Sequence, residues 1–233
     1  MKLSLFVPVY NEERILAKSI RELSVQCAKM GSYELIIIDD TSQDKTGALA
    51  DALAKKDRRI RVLHYKNGPS RRENLGVSFP KAKGELVGFC DVDLAPDINR
   101  LGDMIAAIER GADIAIGSRY KGIAADREFS RLFISKVYNG VIRLMFGSRV
   151  RDHQCGLKVF RRAVALQLAA EAGYDSSFTR GWSWDAEMLI RAQRHQFKIA
   201  ELPLKWVRGE KSSFNWKREL RIVKYLLRLR LQL

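Results

Sequence analysis

Long apolar runs are absent from this chain of 233 residues. No stretch reaches the about 18 consecutive apolar residues that a membrane-spanning helix needs, so we expect no transmembrane helix. The N-terminal apolar run, residues 3–9, is too short for a signal peptide and has no small-residue cleavage site after it, so we expect no secretory leader. Both absences favour a protein that works in the cytoplasm.

Cysteine and histidine are scarce, with three of each. Cys27, Cys90 and Cys155 lack the paired spacing of a metal site, and their odd number does not suit a disulfide framework. His153 and His195 have no partner at metal-binding spacing. These absences argue against a zinc centre or a disulfide-stabilised secreted fold, and they favour a reducing compartment.

Acidic residues are in deficit, because 42 Lys and Arg face 27 Asp and Glu and leave a net charge of +15. Such an excess suits three partners: nucleic acid, an anionic membrane surface, or a phosphate-bearing substrate. The composition is otherwise that of an ordinary globular protein, with 46% hydrophobic and 30% charged residues, and the length suits one α/β domain. The positions of the basic residues must therefore decide among the three partners.

Short apolar segments alternate with helical patterns in the first half of the chain. We predict strands at 3–9, 33–39, 59–64, 85–90 and 113–117, and helices from 11 to about 30, then at 46–56, 71–82 and 97–111. Asn11 is the predicted N-cap of the first helix. The uninterrupted apolar residues 35–38 are typical of a strand buried on both faces. This order predicts an α/β fold with an open, mostly parallel sheet and helices on both faces.

The second half predicts a helix at 130–146, a strand or loop at 152–160, a helix at 184–195 and a strand at 198–206. No linker divides the chain, so we predict one domain over residues 1–215 and a C-terminal helix at 216–233. That helix has apolar residues at helical spacing beside a basic stripe, which is typical of a helix lying in a membrane interface. A helix packed on the sheet with a solvated basic face, or one that binds a membrane subunit, are the alternatives.

Asp91 and Asp93 directly follow the apolar strand 85–90. Because alternate residues of a strand face the same side, we expect both carboxylates to point to one spot, where their repulsion favours a bound Mg²⁺ or Mn²⁺. Such a cation bridges two phosphates of a nucleotide diphosphate. Polar residues also follow two other strands, at 8–12 and 39–40, and ligands of α/β sheets bind at this edge. A carboxylate at 39–40 is expected to hold the ribose hydroxyls, which is compatible with an Asx turn there.

Several segments of the chain match the motifs of a known family. At the predicted sheet edge these are residues 6–13 (FVPVYNEE), 38–46 (IDDTSQDKT) and 91–93 (DVD). They resemble the inverting family 2 glycosyltransferases, which have the Rossmann-like GT-A fold. Residues 117–120 (GSRY) and 152–160 (DHQCGLKVF) resemble the subgroup of dolichyl-phosphate glucosyl- and mannosyltransferases, the glucosyl type more closely. Thr41 departs from the family, which has glycine there, and residues 68–72 replace its glycine- and lysine-rich turn.

The resemblance implies a function and a set of site residues. The implied reaction transfers a hexose from UDP-glucose or GDP-mannose to a polyprenyl or dolichyl phosphate, with glucose favoured over mannose. The implied location is the cytoplasmic face of a membrane, where a membrane protein is a further candidate partner. The implied nucleoside pocket comprises Pro8, Tyr10, Glu12 and Asp40, and the implied metal and diphosphate site comprises Asp91 and Asp93. The implied acceptor-phosphate contacts are Arg119, Arg131 and Ser135, with Arg208, Lys211 and Ser212 in a closing loop. The implied acceptor-side residues are Asp152, Gln154, Lys158 and Asp185.

The acceptor decides whether a general base is needed. A lipid phosphate already carries an anionic oxygen and needs only positioning, which arginine supplies through its bidentate fit to phosphate. A glycan or glycolipid hydroxyl, the first alternative, needs a carboxylate base, for which Asp185 is the candidate unless it only stabilises a helix N-terminus. A nucleic-acid-binding protein is the remote alternative. We expect no nucleic-acid partner, because the basic residues are not interleaved with aromatic residues along a groove.

Overall fold

The structure, a computed structural model, describes residues 1–69, 71–120, 129–175, 178, 180–205 and 216–233, without the side chains of 129–134 and 216–222. The strands of this part are β1 (Leu3–Val9), β2 (Tyr33–Asp40), β3 (Ile60–Tyr65), β4 (Leu86–Cys90), β5 (Ile114–Ser118), β6 (Leu157–Arg161) and β7 (Ile199–Pro203). Its α-helices are α1 (Leu16–Ala28), α2 (Thr46–Lys56), α3 (Glu73–Ser78), α4 (Leu101–Glu109), α5 (Phe129–Phe146), α6 (Arg162–Ala172), α7 (Ser183–Arg194) and α8 (Trp216–Gln232).

The strands form one sheet in the order β3-β2-β1-β4-β6-β5-β7. Every pairing is parallel except those of β6, which runs antiparallel to both β4 and β5. The predicted open, mostly parallel sheet is thereby confirmed. The segment 152–160, for which a strand and a loop were both expected, contains both, because β6 begins at Leu157. Its antiparallel insertion brings residues 152–156 to the carboxyl end of β4.

The sheet separates two apolar cores, because alternate side chains of its buried strands face opposite sides. In β2, Leu35 and Ile37 pack with α1, α2 and α4, whereas Ile36 and Ile38 pack with α3, α6 and α7. All four side chains are fully buried. The uninterrupted apolar sequence of β2 therefore reflects helices on both faces, as predicted.

A third apolar cluster attaches the C-terminal helix to the domain. Its buried members are Ile142 on α5, Ala186 and Ile190 on α7, and Tyr225, Leu226 and Leu229 on α8. The described part of α8 therefore packs against α5 and α7 and still carries exposed basic residues. None of the helices in the described ranges is long and apolar enough to span a membrane.

The structure departs from the predicted elements at α1, α3 and α6. Helix α1 begins at Leu16 and has Ile15 as its N-cap, so the predicted capping role of Asn11 is wrong. Asn11 instead has a φ of 54° and its Oδ1 accepts a hydrogen bond from Gln43 N. Helix α6 was not predicted, and α3 is shorter than expected because a 3₁₀ turn follows it at Phe79–Lys81.

Candidate active site

The loops that follow β1 and β2 are hydrogen-bonded to each other at the carboxyl edge. Asn11 N donates to Ser42 Oγ (3.1 Å) and Glu12 N donates to Thr46 Oγ1 (2.7 Å). Pro8, Tyr10 and Glu12, the predicted nucleoside-pocket residues of β1 and its loop, are half-buried here. The predicted grouping of these residues beside the end of β2 therefore agrees with the geometry, although their role stays a prediction.

The two aspartates at the end of β2 have different partners. Asp39 accepts a hydrogen bond from Ser42 N (3.1 Å) and lies 2.9 Å from His64 Nδ1, so it organises the turn. Asp40 is buried, and its Oδ1 accepts from Asn74 Nδ2 (2.6 Å). Burial raises the pKa of Asp40 to about 6, against the opposing effect of the Asn74 hydrogen bond. Asp39 is thus the turn residue, whereas Asp40 is held in a buried position by Asn74, and its predicted role towards the ribose stays a prediction.

Thr41 retains the backbone conformation that a glycine would favour at this turn. Its φ is 69°, in the left-handed region, which costs an ordinary L-residue roughly 1–2 kcal/mol. The Thr41 hydroxyl offsets this cost, because it donates to Tyr65 O (2.8 Å) and accepts from Gly68 N (3.0 Å). The departure from glycine at this position therefore preserves the turn and links it to residue 68 of the next loop.

Asp91 and Asp93 lie in a turn rather than in the strand. Strand β4 ends at Cys90, and Leu94, with a φ of 49°, closes the turn through its N–H to Asp91 O (3.1 Å). The expectation that strand alternation brings the two carboxylates together is therefore wrong. Loss of hydration and, to a smaller extent, the charge of Asp91 raise the pKa of Asp93, although the Asp93 side chain is exposed overall.

Asp91 is the first member of a buried chain of charges that the sequence did not reveal. Arg72 Nη2 donates to Asp91 Oδ1 (2.6 Å), and Arg72 Nε lies 3.2 Å from Asp185 Oδ2. Lys158 Nζ donates to the other oxygen of Asp185 (3.2 Å) and to Cys155 O (2.6 Å). The side chains of Arg72, Lys158 and Asp185 are at most 8% exposed. The only sequence signal for Arg72 was the departure of residues 68–72 from the family's turn.

The charges at this edge favour a divalent cation. The four carboxylates here are those of Asp40, Asp91, Asp93 and Asp185, and the two cationic side chains among them are Arg72 and Lys158. Two negative charges are left in excess. No group of three His, Cys, Asp or Glu side chains is arranged as a metal site among the described residues. The excess of negative charge and the carboxylate oxygens of Asp91 and Asp93 suit Mg²⁺ or Mn²⁺, which would need further ligands from phosphate oxygens or water.

Asp185, the candidate base, occupies a structural position. It lies in the first turn of α7, is 1% exposed, and its two oxygens face Arg72 and Lys158. It is not the N-cap of that helix, which is Trp182. An acceptor hydroxyl therefore has no direct approach to Asp185 in this arrangement.

Glu187, on the next turn of α7, faces the C-terminal helix. It accepts hydrogen bonds from Arg180 Nη1 (3.1 Å), Arg191 Nε (2.9 Å) and the hydroxyl of Tyr225. Tyr225 lies on α8, so this carboxylate connects α8 to the helix that carries Asp185. The two acidic residues of α7 thus connect the donor edge and α8 through one helix.

Arg119 forms a buried ion pair with Asp152. Its Nε and Nη2 donate to the two carboxylate oxygens (2.6 and 2.5 Å), and its backbone N–H donates as well (2.9 Å). Burial alone would raise the pKa of Asp152, but the Arg119 guanidinium outweighs burial and holds that pKa below its usual value. Two of the predicted acceptor residues thus bind each other. They fix the loop after β5 to the segment before β6.

Ser135 belongs to a hydrogen-bonded group that anchors α5. Its Oγ lies 2.5 Å from the hydroxyl of Tyr120, and its carbonyl accepts from Asn139 Nδ2 (2.8 Å). Asn139 Oδ1 in turn accepts from His153 N (2.9 Å), and His153 Nε2 lies 2.8 Å from Ser148 Oγ. Burial lowers the pKa of His153 to about 3, so this ring is neutral and structural.

The remaining predicted residues are only partly described. Gln154 is half-buried in the segment that leads into β6. The side chain of Arg131 and the whole of Arg208, Lys211 and Ser212 lie outside the described residues. Gly156, in the same segment as Gln154, packs against Asp91, and its carbonyl accepts from Asp91 N (2.9 Å). The segment that contains the predicted acceptor-side residues therefore also contacts Asp91, through Gly156.

Comparison with known proteins gives consistent matches. Residues 4–168 match the family described as Glycosyl transferase family 2. Glycosyltransferase AglD of Haloferax volcanii is 37% identical over 211 residues, which cover 88% of this chain and 33% of that protein. The dolichyl-phosphate beta-glucosyltransferase of Drosophila melanogaster is 28% identical over 93% of this chain and 71% of its own length. The polyprenol monophosphomannose synthase of Mycolicibacterium smegmatis is 30% identical over 88% and 77%. The chain thus spans about a third of the length of the Haloferax volcanii protein.

The fold also matches solved structures. Glucosyl-3-phosphoglycerate synthase from Mycobacterium tuberculosis, in complex with Mn²⁺, uridine diphosphate and phosphoglyceric acid, aligns with a TM-score of 0.74. The alignment covers 98% of this chain and 78% of the other, at 17% identity. At that identity the match supports the fold alone, and it confirms the predicted α/β architecture.

Proposed function

Because the chain belongs to glycosyl transferase family 2 and has its GT-A fold, we propose that it transfers a hexose from a nucleotide diphosphate sugar to a polyprenyl or dolichyl phosphate. Glucose from UDP-glucose is the favoured donor, and mannose from GDP-mannose is the second. Relatives named for glucosyl and mannosyl transfer to such lipids, matched over most of this chain, support the proposal.

The position of Asp185 is the observation that favours a phosphate acceptor over a hydroxyl acceptor. A hydroxyl acceptor needs a base within hydrogen-bond reach of its proton. The candidate base is 1% exposed and faces Arg72 and Lys158, so it is poorly placed for that task. A phosphate monoester is ionised already, and its oxygen attacks the anomeric carbon while the bond to the donor diphosphate breaks. No proton has to move in this step, which favours the lipid phosphate over a glycan or glycolipid hydroxyl.

The donor half of the reaction is assigned to the edge formed by β1, β2 and β4. In this assignment Asp40 would accept hydrogen bonds from the ribose hydroxyls, and Asp91 and Asp93 would hold the divalent cation. When bound, that cation neutralises the departing diphosphate. Orientation and electrostatics at this edge then account for the rate enhancement.

The acceptor half is assigned to the loop after β5. Arg119, held by Asp152, fixes the backbone of this loop, and Tyr120 connects it to Ser135 on α5. Arg131 and the segment with Arg208, Lys211 and Ser212 remain the predicted contacts of the acceptor phosphate.

A radiochemical assay tests the proposed transfer. We expect lipid-soluble label when UDP-[¹⁴C]glucose, dolichyl phosphate and Mn²⁺ are combined with the protein, and about 1,000-fold less with Asp91→Asn, which removes a charge from the cation site. Asp103→Asn, at an exposed position on α4, is the matched control and should keep full activity. GDP-[¹⁴C]mannose is tested in parallel.

Two results would contradict the proposed acceptor. One is the absence of lipid-soluble product with either donor in folded protein. The other is equal transfer to dolichol, which has a hydroxyl and no phosphate; that result would favour the alternative transferase acting on hydroxyl groups and would require a base.

Peripheral attachment to a membrane is supported by apolar side chains on two adjacent helices. The exposed apolar residues of α5 and α8 are Val137, Val141 and Leu144, and Val223, Leu227 and Leu231. Leu144 and Leu231 are 88% and 90% exposed. Exposed basic residues lie among them, namely Lys136, Arg143, Lys224 and Arg230. Apolar and basic groups together fit the interface of an anionic bilayer, and the cytoplasmic face has such lipids.

Sedimentation with phosphatidylglycerol vesicles tests this attachment. The double variant Leu227→Ser/Leu231→Ser is expected to bind about tenfold more weakly, because each serine removes buried apolar area at the interface. Val25→Ser is the control, since Val25 is as exposed as Leu227 (both 56%) but lies on α1. Unchanged binding of the double variant would contradict membrane attachment through α8.

A further inference from the structure

Arg72 is a buried cation in direct contact with a predicted metal ligand. It immediately precedes α3, its side chain is 8% exposed, and its guanidinium lies over the ring of Phe89 at 5.4 Å. Its hydrogen bond to Asp91 Oδ1 is short, at 2.6 Å. The other oxygen of Asp91 lies against Gly156. The carboxylate is therefore held on one side by a positive charge and on the other by backbone.

The contact of Arg72 with Asp185 is weaker than its contact with Asp91. Arg72 Nε and Asp185 Oδ2 are 3.2 Å apart, yet neither atom has a hydrogen-bond partner in the described structure. Asp185 receives its hydrogen bond from Lys158 at its other oxygen. The short bond of the guanidinium thus goes to Asp91, which is one of the two predicted ligands of the divalent cation.

A guanidinium at this distance opposes the binding of a cation to the same carboxylate. Like charges a few ångströms apart repel strongly where water is scarce, and burial keeps Arg72 from being screened. A nucleotide diphosphate adds negative charge at the site and offsets this repulsion. Arg72 therefore penalises the divalent cation alone much more than the cation together with a diphosphate.

We propose that Arg72 is a positioning residue that holds Asp91 and makes binding of the divalent cation depend on the nucleotide diphosphate. This inference rests on the proposed function in one respect, namely that the donor is a nucleotide diphosphate sugar. As a consequence, the divalent cation and the nucleotide diphosphate bind together, and Asp91 and Asp93 do not bind the cation alone.

Binding of Mn²⁺, followed by the electron paramagnetic resonance signal of the free ion, tests the role of Arg72. The wild-type protein is expected to bind Mn²⁺ weakly alone and at least about 30-fold more tightly with saturating UDP. Arg72→Met removes the competing charge, so its affinity for Mn²⁺ alone is expected to rise about tenfold, and the gain from UDP to shrink. Arg72→Lys keeps the charge and should stay within about threefold of wild type.

Arg71→Met is the matched control, because the guanidinium of Arg71 donates to Asp175 O and lies over the ring of Tyr174. Its Mn²⁺ affinity should not change. If Arg72→Met is unstable, Arg72→Gln carries the same expectation. Unchanged or weaker binding of Mn²⁺ alone by the folded neutral variant overturns the proposal. Because this readout needs no sugar transfer, failure of the proposed transferase activity would be seen separately, in the radiochemical assay.

Discussion

Replacing Gly156 with alanine is expected to reduce kcat at least about 100-fold while the protein stays folded, because the new methyl group would displace a donor carboxylate. An alanine Cβ at this position would lie 2.5 Å from Asp91 Cγ and closer still to Asp91 Oδ2. Ordinary contacts are about 3.4 Å or longer, so Asp91 has to rotate away. The backbone of Gly156 itself does not need glycine, because it is not in the left-handed region.

Gly140→Ala is the control for this substitution. Gly140 lies on an exposed part of α5, and a Cβ there would meet nothing within 4 Å. Alanine is expected to keep full turnover at that position and to stabilise the helix by up to about 1 kcal/mol. Thermal unfolding and kcat are measured for both variants. If Gly156→Ala retained turnover within about threefold of wild type, the placement of Asp91 over Gly156 would be wrong.

The second large effect is expected from Arg119→Met, which should lower the free energy of unfolding by about 3–5 kcal/mol. Asp152 is fully buried, and Arg119 supplies three hydrogen bonds to its carboxylate. The guanidinium provides two of these three hydrogen bonds and the opposite charge, so its removal leaves the buried carboxylate with the backbone N–H of residue 119 and with much less compensation of its charge. Chemical denaturation with urea measures the change.

A second substitution separates the buried charge from the loss of packing. In Arg119→Met/Asp152→Leu both charges are absent, and the free energy of unfolding is expected to recover most of the loss. Arg100→Met, which breaks the exposed ion pair with Asp103, is the surface control and should change stability by less than about 1 kcal/mol. A single variant Arg119→Met as stable as that control would contradict the buried pair.

The carboxylates of the donor site illustrate how far the sequence could predict the site. Asp40, Asp91 and Asp93 were placed at one edge because each follows an apolar segment that forms a strand, and the carboxyl ends of parallel strands meet. The reason given for the close approach of Asp91 and Asp93 was wrong, since the strand stops at Cys90 and a turn follows. The end of the strand was predicted correctly at residue 90, and the error was to extend strand alternation beyond it. Hydrophobic periodicity does not determine the conformation of the turn that follows a strand.

The charged partners could not be predicted in the same way. Arg119 was expected at the acceptor phosphate and is bound to Asp152, which is 33 residues away in the sequence. The sequence distinguished Arg72 only as part of an unusual turn. Its contacts with Asp91 and Asp185 join three separate elements of the fold. A sequence shows that an arginine is present, but its partner is whichever carboxylate the fold brings within reach.

By itself, the sequence determined most of the strands and helices, the open, mostly parallel sheet and the family to which the chain belongs, because these depend on local apolar patterns and contiguous motifs. Binding of ligands at the carboxyl edge stays a prediction. The tertiary structure alone decided that β6 is antiparallel, that Asp185 faces Arg72 and Lys158, and that α8 packs through Tyr225. These features depend on distances between residues far apart in the chain. These distances are set only when the two apolar cores have formed. The partner of a buried charged side chain is therefore determined by the tertiary structure.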